Sequence, residues 1–153
     1  MPTPDSIANL LMGPVNHQIR PQIIEICEGI KKLPPDSPIV PTQVFDVVGL
    51  TEEGHPGLNF VGGKEYYYFE NCWNAVKAFK LRDLDQAREY LMKAKWEFDN
   101  WALAHYLLGC VFMETRRYKD ALDQFEKGAD FEPFNHRPVA IMREIARYLT
   151  LNP

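Results

Sequence analysis

The sequence predicts an all-α fold built mainly from helical hairpins. The chain has 153 residues, of which 46% are apolar and 25% charged, which suits a single folded domain with a real core. No proline occurs from residue 64 to residue 132, although prolines elsewhere are frequent and would break a helix interior. Apolar residues in this region recur every three or four positions, the spacing that lines one side of a helix. A row of helices is therefore expected after residue 63.

A change of composition near residue 63 divides the chain. Residues 1–63 hold nine of the twelve prolines and seven of the nine glycines, and they carry three basic against seven acidic residues. Residues 64–153 carry fourteen of each sign. We expect residues 1–63 to form a Pro/Gly-rich segment of helix and loop that packs on a helical domain of residues 64–153.

Several helix boundaries can be read from caps and prolines. Asp83 followed by Gln86 forms a plausible capping box, and Pro34 with Pro35 ends a helical pattern in the N-terminal part. A short helix is also expected before residue 13, whereas residues 42–48 fit either a short helix or a strand. The other helices are expected at about 21–33, 64–80, 84–98, 101–114, 119–131 and 137–149.

Residues 100–133 contain a pattern that is typical of one repeat family. Its members are Leu108, Gly109, Phe112, Tyr118, Ala121, Phe125, Ala129 and Pro133. This pattern resembles the tetratricopeptide repeat, a helix-turn-helix unit of about 34 residues. A poorer copy lies one repeat length earlier, where Asn74 and Ala75 occupy the Leu-Gly positions. The resemblance implies two repeats, at about 68–101 and 102–135, with the helix at 137–149 as a C-terminal cap on the stack.

The resemblance also implies where a partner would bind. In this family the first helix of each pair lines a concave surface, and ten residues fall on or beside it here: Phe69, Cys72, Trp73, Val76, Phe79, Leu103, Tyr106, Cys110, Met113 and Arg147. We call this predicted surface the trough. Because it is mostly apolar, it favours an apolar or amphipathic segment as its occupant.

Two repeats are fewer than the roughly three that such stacks usually need, so another segment must cover exposed apolar surface. Three occupants of the trough are open at this point. The first is the N-terminal helix at 21–33 of the same chain. The second is a segment of another protein, and the third is a second copy of the chain, as in a homodimer.

Other conspicuous side chains are expected to be structural. Four consecutive aromatic residues at 66–69 cannot share one helix face, so we expect core packing with at least one ring outward, the alternative being a partner patch. The basic residues of the second helices and their turns are expected on a solvated convex face. They include Arg82, Arg88, Lys93, Lys95, Arg116, Arg117 and Lys119.

Signals for an enzyme are weak. Residues 57–65 resemble a phosphate-binding loop, but Gly63 separates the second glycine from Lys64, and Glu65 replaces the hydroxyl residue. The three cysteines and four histidines show no metal-ligand spacing. We therefore expect no catalytic residue, no cofactor and no metal ion, and we do not expect an enzyme.

Net charge, apolar runs and cysteine count exclude some classes of partner and indicate a compartment. The net charge of −4 argues against nucleic acid, and no apolar run reaches the roughly 18 residues of a membrane span. The odd number of cysteines and the lack of a signal peptide indicate the cytoplasm. We expect an adaptor or assembly factor that binds protein segments. The alternatives are a secretion-type chaperone and a small enzyme or enzyme subunit that uses the loop at 51–65.

Overall fold

A computed structural model describes residues 19–42, 44, 45, 63–131 and 137–153. These residues contain helices and turns but no strand, so the all-helical prediction is confirmed for them. The helices are α1 (Ile19–Ile30), α2 (Gly63–Lys80), α3 (Leu84–Glu97), α4 (Ala102–Glu114), α5 (Tyr118–Phe131) and α6 (Arg137–Leu151).

The N-terminal expectations are met in part. Helix α1 ends at Ile30, earlier than expected, because the N–H groups of Lys32 and Leu33 turn back to carbonyls of the last helical turn. Residues 42, 44 and 45 form a short 3₁₀ turn that closes with a 3.1 Å bond from the Val44 N–H to the Pro41 carbonyl. The short helix expected before residue 13 and the loop at 51–62 lie outside the described residues.

Two hairpins follow each other with a constant offset. Helices α2 and α3 form the first hairpin, and α4 and α5 form the second. The helices that open the hairpins end at Lys80 and Glu114, and those that close them begin at Leu84 and Tyr118, so each boundary recurs after one repeat length. Because α3 packs on α4 as α5 packs on α6, helix α6 continues the stack as the first helix of a third hairpin would.

The polar groups at helix starts are satisfied by particular side chains. Asp83 caps α3, since its Oδ1 accepts the Gln86 N–H at 3.2 Å, as the sequence predicted. Trp101 occupies the corresponding position before α4 but makes no side-chain cap bond. Instead, the buried hydroxyl of Tyr68 on α2 accepts the Ala104 N–H at 2.8 Å. Tyr68 thus ties the first hairpin to the start of the second.

Small residues allow the two helices of the second hairpin to approach closely. A Cβ atom added at Gly109 would lie 2.5 Å from Cε1 of Phe125, and one added at Gly128 would clash with the Tyr106 ring. Ala129, which the sequence pattern marked as the small residue of α5, is half-buried. The close approach is therefore made by Gly128, one residue earlier.

Helix α1 packs on α6 at the C-terminal end of the stack. The Cys27 thiol donates to the Ile145 carbonyl at 3.8 Å, and the Tyr148 hydroxyl donates to Oε1 of Glu28 at 2.6 Å. Helix α1 is thereby fixed to the last helix of the described part of the chain. No helix in the described ranges is both long and apolar enough to cross a bilayer.

Candidate functional site

The ten residues assigned to the trough differ in burial. Four of them are half-buried, namely Phe69, Trp73, Leu103 and Arg147. The other six are buried, namely Cys72, Val76, Phe79, Tyr106, Cys110 and Met113. Most of the predicted binding surface is therefore already covered within the folded chain.

Three of the ten residues contact different parts of the helical stack. Tyr106 lies inside the second hairpin against Gly128, and Phe69 packs against Tyr68 and Trp101 near the start of α4. Arg147 is held by Glu144 at 2.7 Å and Glu126 at 2.9 Å on the outside of α5 and α6. Each of the three side chains is thus engaged with other residues of the folded chain.

One trough residue is covered by an identified part of the chain. The Phe79 ring at the end of α2 meets the Phe45 ring edge-on, with 4.9 Å between ring centroids. Phe45 belongs to a segment that we call the strap, which comprises residues 33–42, 44 and 45. The apolar residues of its second half are buried, with exposures of 1% for Ile39, 4% for Val40 and 1% for Val44.

The strap begins with a proline turn. The Ser37 N–H donates to the Pro34 carbonyl at 3.0 Å, which closes a four-residue turn with Pro35 at its second position. Proline suits that position because its ring fixes φ near the value that the turn requires. The strap then runs through Ile39 and Val40 to the 3₁₀ turn after Pro41.

Two equivalent turns of the helical stack meet this strap. At the end of α2, the Arg82 N–H donates to the Phe79 carbonyl and the Asp83 N–H to the Ala78 carbonyl, each at 2.9 Å. At the end of α4, one repeat length later, the same pair of bonds recurs. There the Arg116 N–H donates to the Met113 carbonyl at 3.0 Å and the Arg117 N–H to the Phe112 carbonyl at 2.8 Å. Both ends are Schellman motifs.

Each turn places an arginine where glycine is preferred. Arg82 has φ of 64° and Arg116 has φ of 67°. A residue with a Cβ atom loses about 1–2 kcal/mol in this left-handed conformation, so both turns carry a backbone cost. The side-chain contacts of these two arginines offset that cost.

Those side chains converge on Glu114 and on the strap. Glu114 Oε2 accepts Nη1 of Arg82 at 2.8 Å, and its Oε1 accepts the Ile39 N–H of the strap at 2.7 Å. The second guanidinium nitrogen of Arg82 donates to the Asp36 carbonyl at 3.3 Å. We call the group of Arg82, Glu114 and Arg116 the clasp.

Arg116 makes the most extensive contact with the strap. Its Nη2 donates to the carbonyls of Pro34 at 3.0 Å and Ser37 at 2.9 Å, while Nη1 donates to the Glu114 carbonyl at 3.0 Å. The strap is therefore held by three of its carbonyls and one N–H group.

The electrostatics of the clasp favour carbonyl groups. The Glu114 side chain is fully buried, which is costly for a carboxylate unless it is paired and hydrogen-bonded. Arg82 and Arg116 supply two positive charges against this single negative charge, and their side chains are 40% and 16% exposed. The positive charge in excess is directed at the negative ends of the strap carbonyl dipoles.

The buried thiols are unsuited to nucleophilic chemistry. Burial, followed by the nearby Glu114 carboxylate, raises the pKa of Cys110 to about 12. Burial is also the main reason that the pKa of Cys27 is raised to about 12, and it raises the pKa of Cys72 as well. Since the thiolate is the reactive form, all three thiols stay protonated and inert near neutral pH.

The sequence prediction placed Arg82 and Arg116 on a solvated convex face. Arg82 is exposed, whereas Arg116 is half-buried, and both side chains bond to the strap. Their positions in the two turns direct them to the N-terminal part of the chain, and Glu114 is buried between them. One signal could have revealed this pair, because arginine recurs one repeat length apart at a turn position that usually holds glycine. The strap itself has no comparable signal.

Trough residue Trp73 buries a polar atom. Its indole Nε1 is buried, and no hydrogen-bond partner for it occurs among the described residues. In the same part of the chain, no group of three or more His, Cys, Asp or Glu side chains is arranged to hold a metal ion.

Comparison of the chain with protein-family models, curated proteins and solved structures finds no significant match.

Proposed function

We propose that this chain is a protein-binding module of the tetratricopeptide-repeat kind, in which a partner segment binds by replacing the strap. The observation that supports this most strongly is how the strap is attached. Its backbone groups bond to clasp residues 46 to 82 positions away in sequence, and its buried apolar side chains pack beside the clasp. A separate peptide would be bound through the same kinds of contact.

The recurrence of the turn arginine supports the same proposal. Neither turn requires arginine for its backbone, and glycine would be better tolerated at φ near +65°. The arginines are accounted for by what they hold, namely the carbonyls of an extended segment. A partner that offers similar carbonyls and apolar side chains would compete with the strap for this site.

If a partner binds by replacing the strap, its affinity must exceed a minimum value. The strap is tethered to the stack, so it competes at an effective concentration of roughly millimolar. A partner segment must therefore bind the clasp more tightly than a free copy of the strap, or it must also contact a second surface. This proposal makes the module an adaptor whose site is occupied until a suitable segment arrives.

The test uses the full chain with its strap undocked. Ile39→Asp together with Val44→Asp places charges at two buried strap positions and leaves the clasp unchanged. A fluorescent peptide with the sequence of residues 33–45 is then titrated while its anisotropy is recorded. We expect the variant to bind the peptide at least about tenfold more tightly than the wild-type chain, whose own strap competes.

The matched control adds Arg116→Ala to the same undocked variant, which should weaken peptide binding about tenfold or more. Helix content by circular dichroism must be the same in all three proteins. A folded, undocked variant that does not bind the peptide would refute the proposal. If the undocked variant fails to fold, the same peptide is added in excess to the wild-type chain. Amide exchange at Ile39 should then accelerate if replacement occurs.

A further inference from the structure

The polar contacts between strap and clasp use only backbone atoms of the strap. Within the described residues, the clasp takes the carbonyls of Pro34, Asp36 and Ser37 and the N–H group of Ile39. No hydrogen bond or ion pair joins the clasp to a strap side chain in that part of the chain. The clasp therefore recognises the backbone conformation of the strap. The side chains of the strap are recognised by other contacts.

The backbone conformation that the clasp recognises is a proline turn followed by two extended residues. Three carbonyls can point at two guanidinium groups only because residues 34–37 fold into a turn. Pro35 favours this turn before binding, since its φ is already fixed. Four prolines occur at 34, 35, 38 and 41, and none of them stands at position 39, where the single N–H group is needed.

Selectivity for particular side chains comes from the apolar residues after the turn. Ile39 and Val40 are buried directly beyond the clasp, and Phe45 reaches the Phe79 ring. A segment with charged residues at these positions would lose that burial. The two requirements together define a pattern, in which a proline-initiated turn is followed by a non-proline apolar pair.

We propose that the clasp takes from a partner protein a segment with a proline-initiated turn followed by two apolar residues. This inference rests on the proposed function, because it names the class of segment that replaces the strap. The occupant is a partner rather than a second copy of this chain. A second copy would supply the same strap, so exchange between two copies would leave each clasp with the contacts that it already has, whereas a partner segment can also contact a second surface.

The test compares peptides on the undocked Ile39→Asp/Val44→Asp chain. The reference peptide has the sequence of residues 33–45. A second peptide keeps the four prolines, the apolar residues and their spacing but changes every other position, and it should bind within about threefold of the reference. A third peptide replaces Pro34 and Pro35 with alanine and should bind about five- to tenfold more weakly, since its unbound form is more flexible.

The outcomes separate the two proposals. If the reference peptide does not bind, the proposed function fails and the inference falls with it. If the reference and the alanine peptide bind equally well, the inference is overturned while replacement of the strap stands. Light scattering on the wild-type chain gives the remaining outcome. A dimer that the reference peptide converts to monomers would show that a second copy fills the clasp, against this inference.

Discussion

Among the described residues, the second hairpin packs between the first hairpin and α6, whereas the main helix contact of the first hairpin is with the second. Helix α4 contacts α2, α3, α5 and α6, and every one of its residues except Leu103 is buried. Helix α2 contacts α3 and α4 and leaves Tyr66 and Tyr67 exposed by 40% and 55%. Helices α2 and α4 occupy equivalent positions in the two hairpins, but they are buried to different extents because their places in the stack differ.

The two turns show a second difference. Their backbones match bond for bond, yet Arg116 bonds to two strap carbonyls and is 16% exposed, while Arg82 bonds to one and is 40% exposed. The strap thus depends on the second turn more than on the first. The same backbone motif is therefore used unequally by the two hairpins.

The largest effect is expected at the carboxylate that joins the two turns. Glu114→Ala removes the partner of both arginines and of the Ile39 N–H group, and it should lower the free energy of unfolding by about 3 kcal/mol. Urea denaturation followed by circular dichroism measures this. The control is Glu126→Ala, which removes a surface partner of Arg147 and should cost less than about 1 kcal/mol. Equal losses would contradict a special role for the clasp.

A smaller loss is expected from the close helix crossing in the second hairpin. Gly109→Ala forces a Cβ atom against the Phe125 ring and should destabilise the chain by about 1–3 kcal/mol. The equivalent buried pair of the first hairpin is Ala75 and Leu91. Adding Phe125→Leu to Gly109→Ala recreates that pair and should recover part of the loss. A double variant less stable than Gly109→Ala alone would show that the hairpins pack differently.

Glycine in the two turns should give unequal results. Either substitution removes a backbone cost of about 1–2 kcal/mol, but Arg116→Gly also loses three carbonyl contacts. We expect both variants to be less stable than wild type, Arg116→Gly by about 1 kcal/mol and Arg82→Gly by about 2 kcal/mol, because Arg82→Gly leaves the fully buried Glu114 carboxylate without its 2.8 Å ion pair. Thermal denaturation of both variants measures the difference. An Arg82→Gly variant as stable as wild type would mean that Arg116 and the Ile39 N–H group are sufficient partners for Glu114.

The smallest effects concern the thiols, one of which lies in each hairpin and one in α1. Because burial raises their pKa values in the folded state, the stabilisation from keeping them neutral is complete below the unfolded value of about 9. It is lost as pH rises above 9. Stability should therefore be flat from pH 7 to 8.5 and decline beyond pH 9. A variant with all three cysteines replaced by alanine should show a shallower decline, and an unchanged decline would assign it to other groups.

Labelling of the same thiols shows the order in which parts of the chain unfold locally. In mild urea at pH 8 we expect a thiol reagent to modify Cys27 first, since α1 is packed mainly on α6, and Cys110 last, since α4 has neighbours on all sides. Mass spectrometry of labelled peptides reads the order. Labelling of Cys110 before Cys72 would contradict the deeper burial of the second hairpin.

The helices were predictable because they depend on local patterns. The recurrence after one repeat length, the cap at Asp83 and the lack of prolines define them without knowledge of the rest of the chain. The facing of α4 was not predictable, because a helix that is apolar on all sides has no periodicity to orient Tyr106. The clasp was missed because it bonds to strap residues 46 to 82 positions away, and no local pattern encodes such a pairing.

The most direct test of this account is the hydrogen exchange rate of the Ile39 amide in the wild-type chain. Its N–H group donates to a fully buried carboxylate, although it lies outside every helix. We expect this amide to exchange at least about a hundredfold more slowly than in an unfolded chain, and to exchange markedly faster in Arg116→Ala. Exchange at the unfolded rate in the wild-type chain would show that the strap is not held by the clasp.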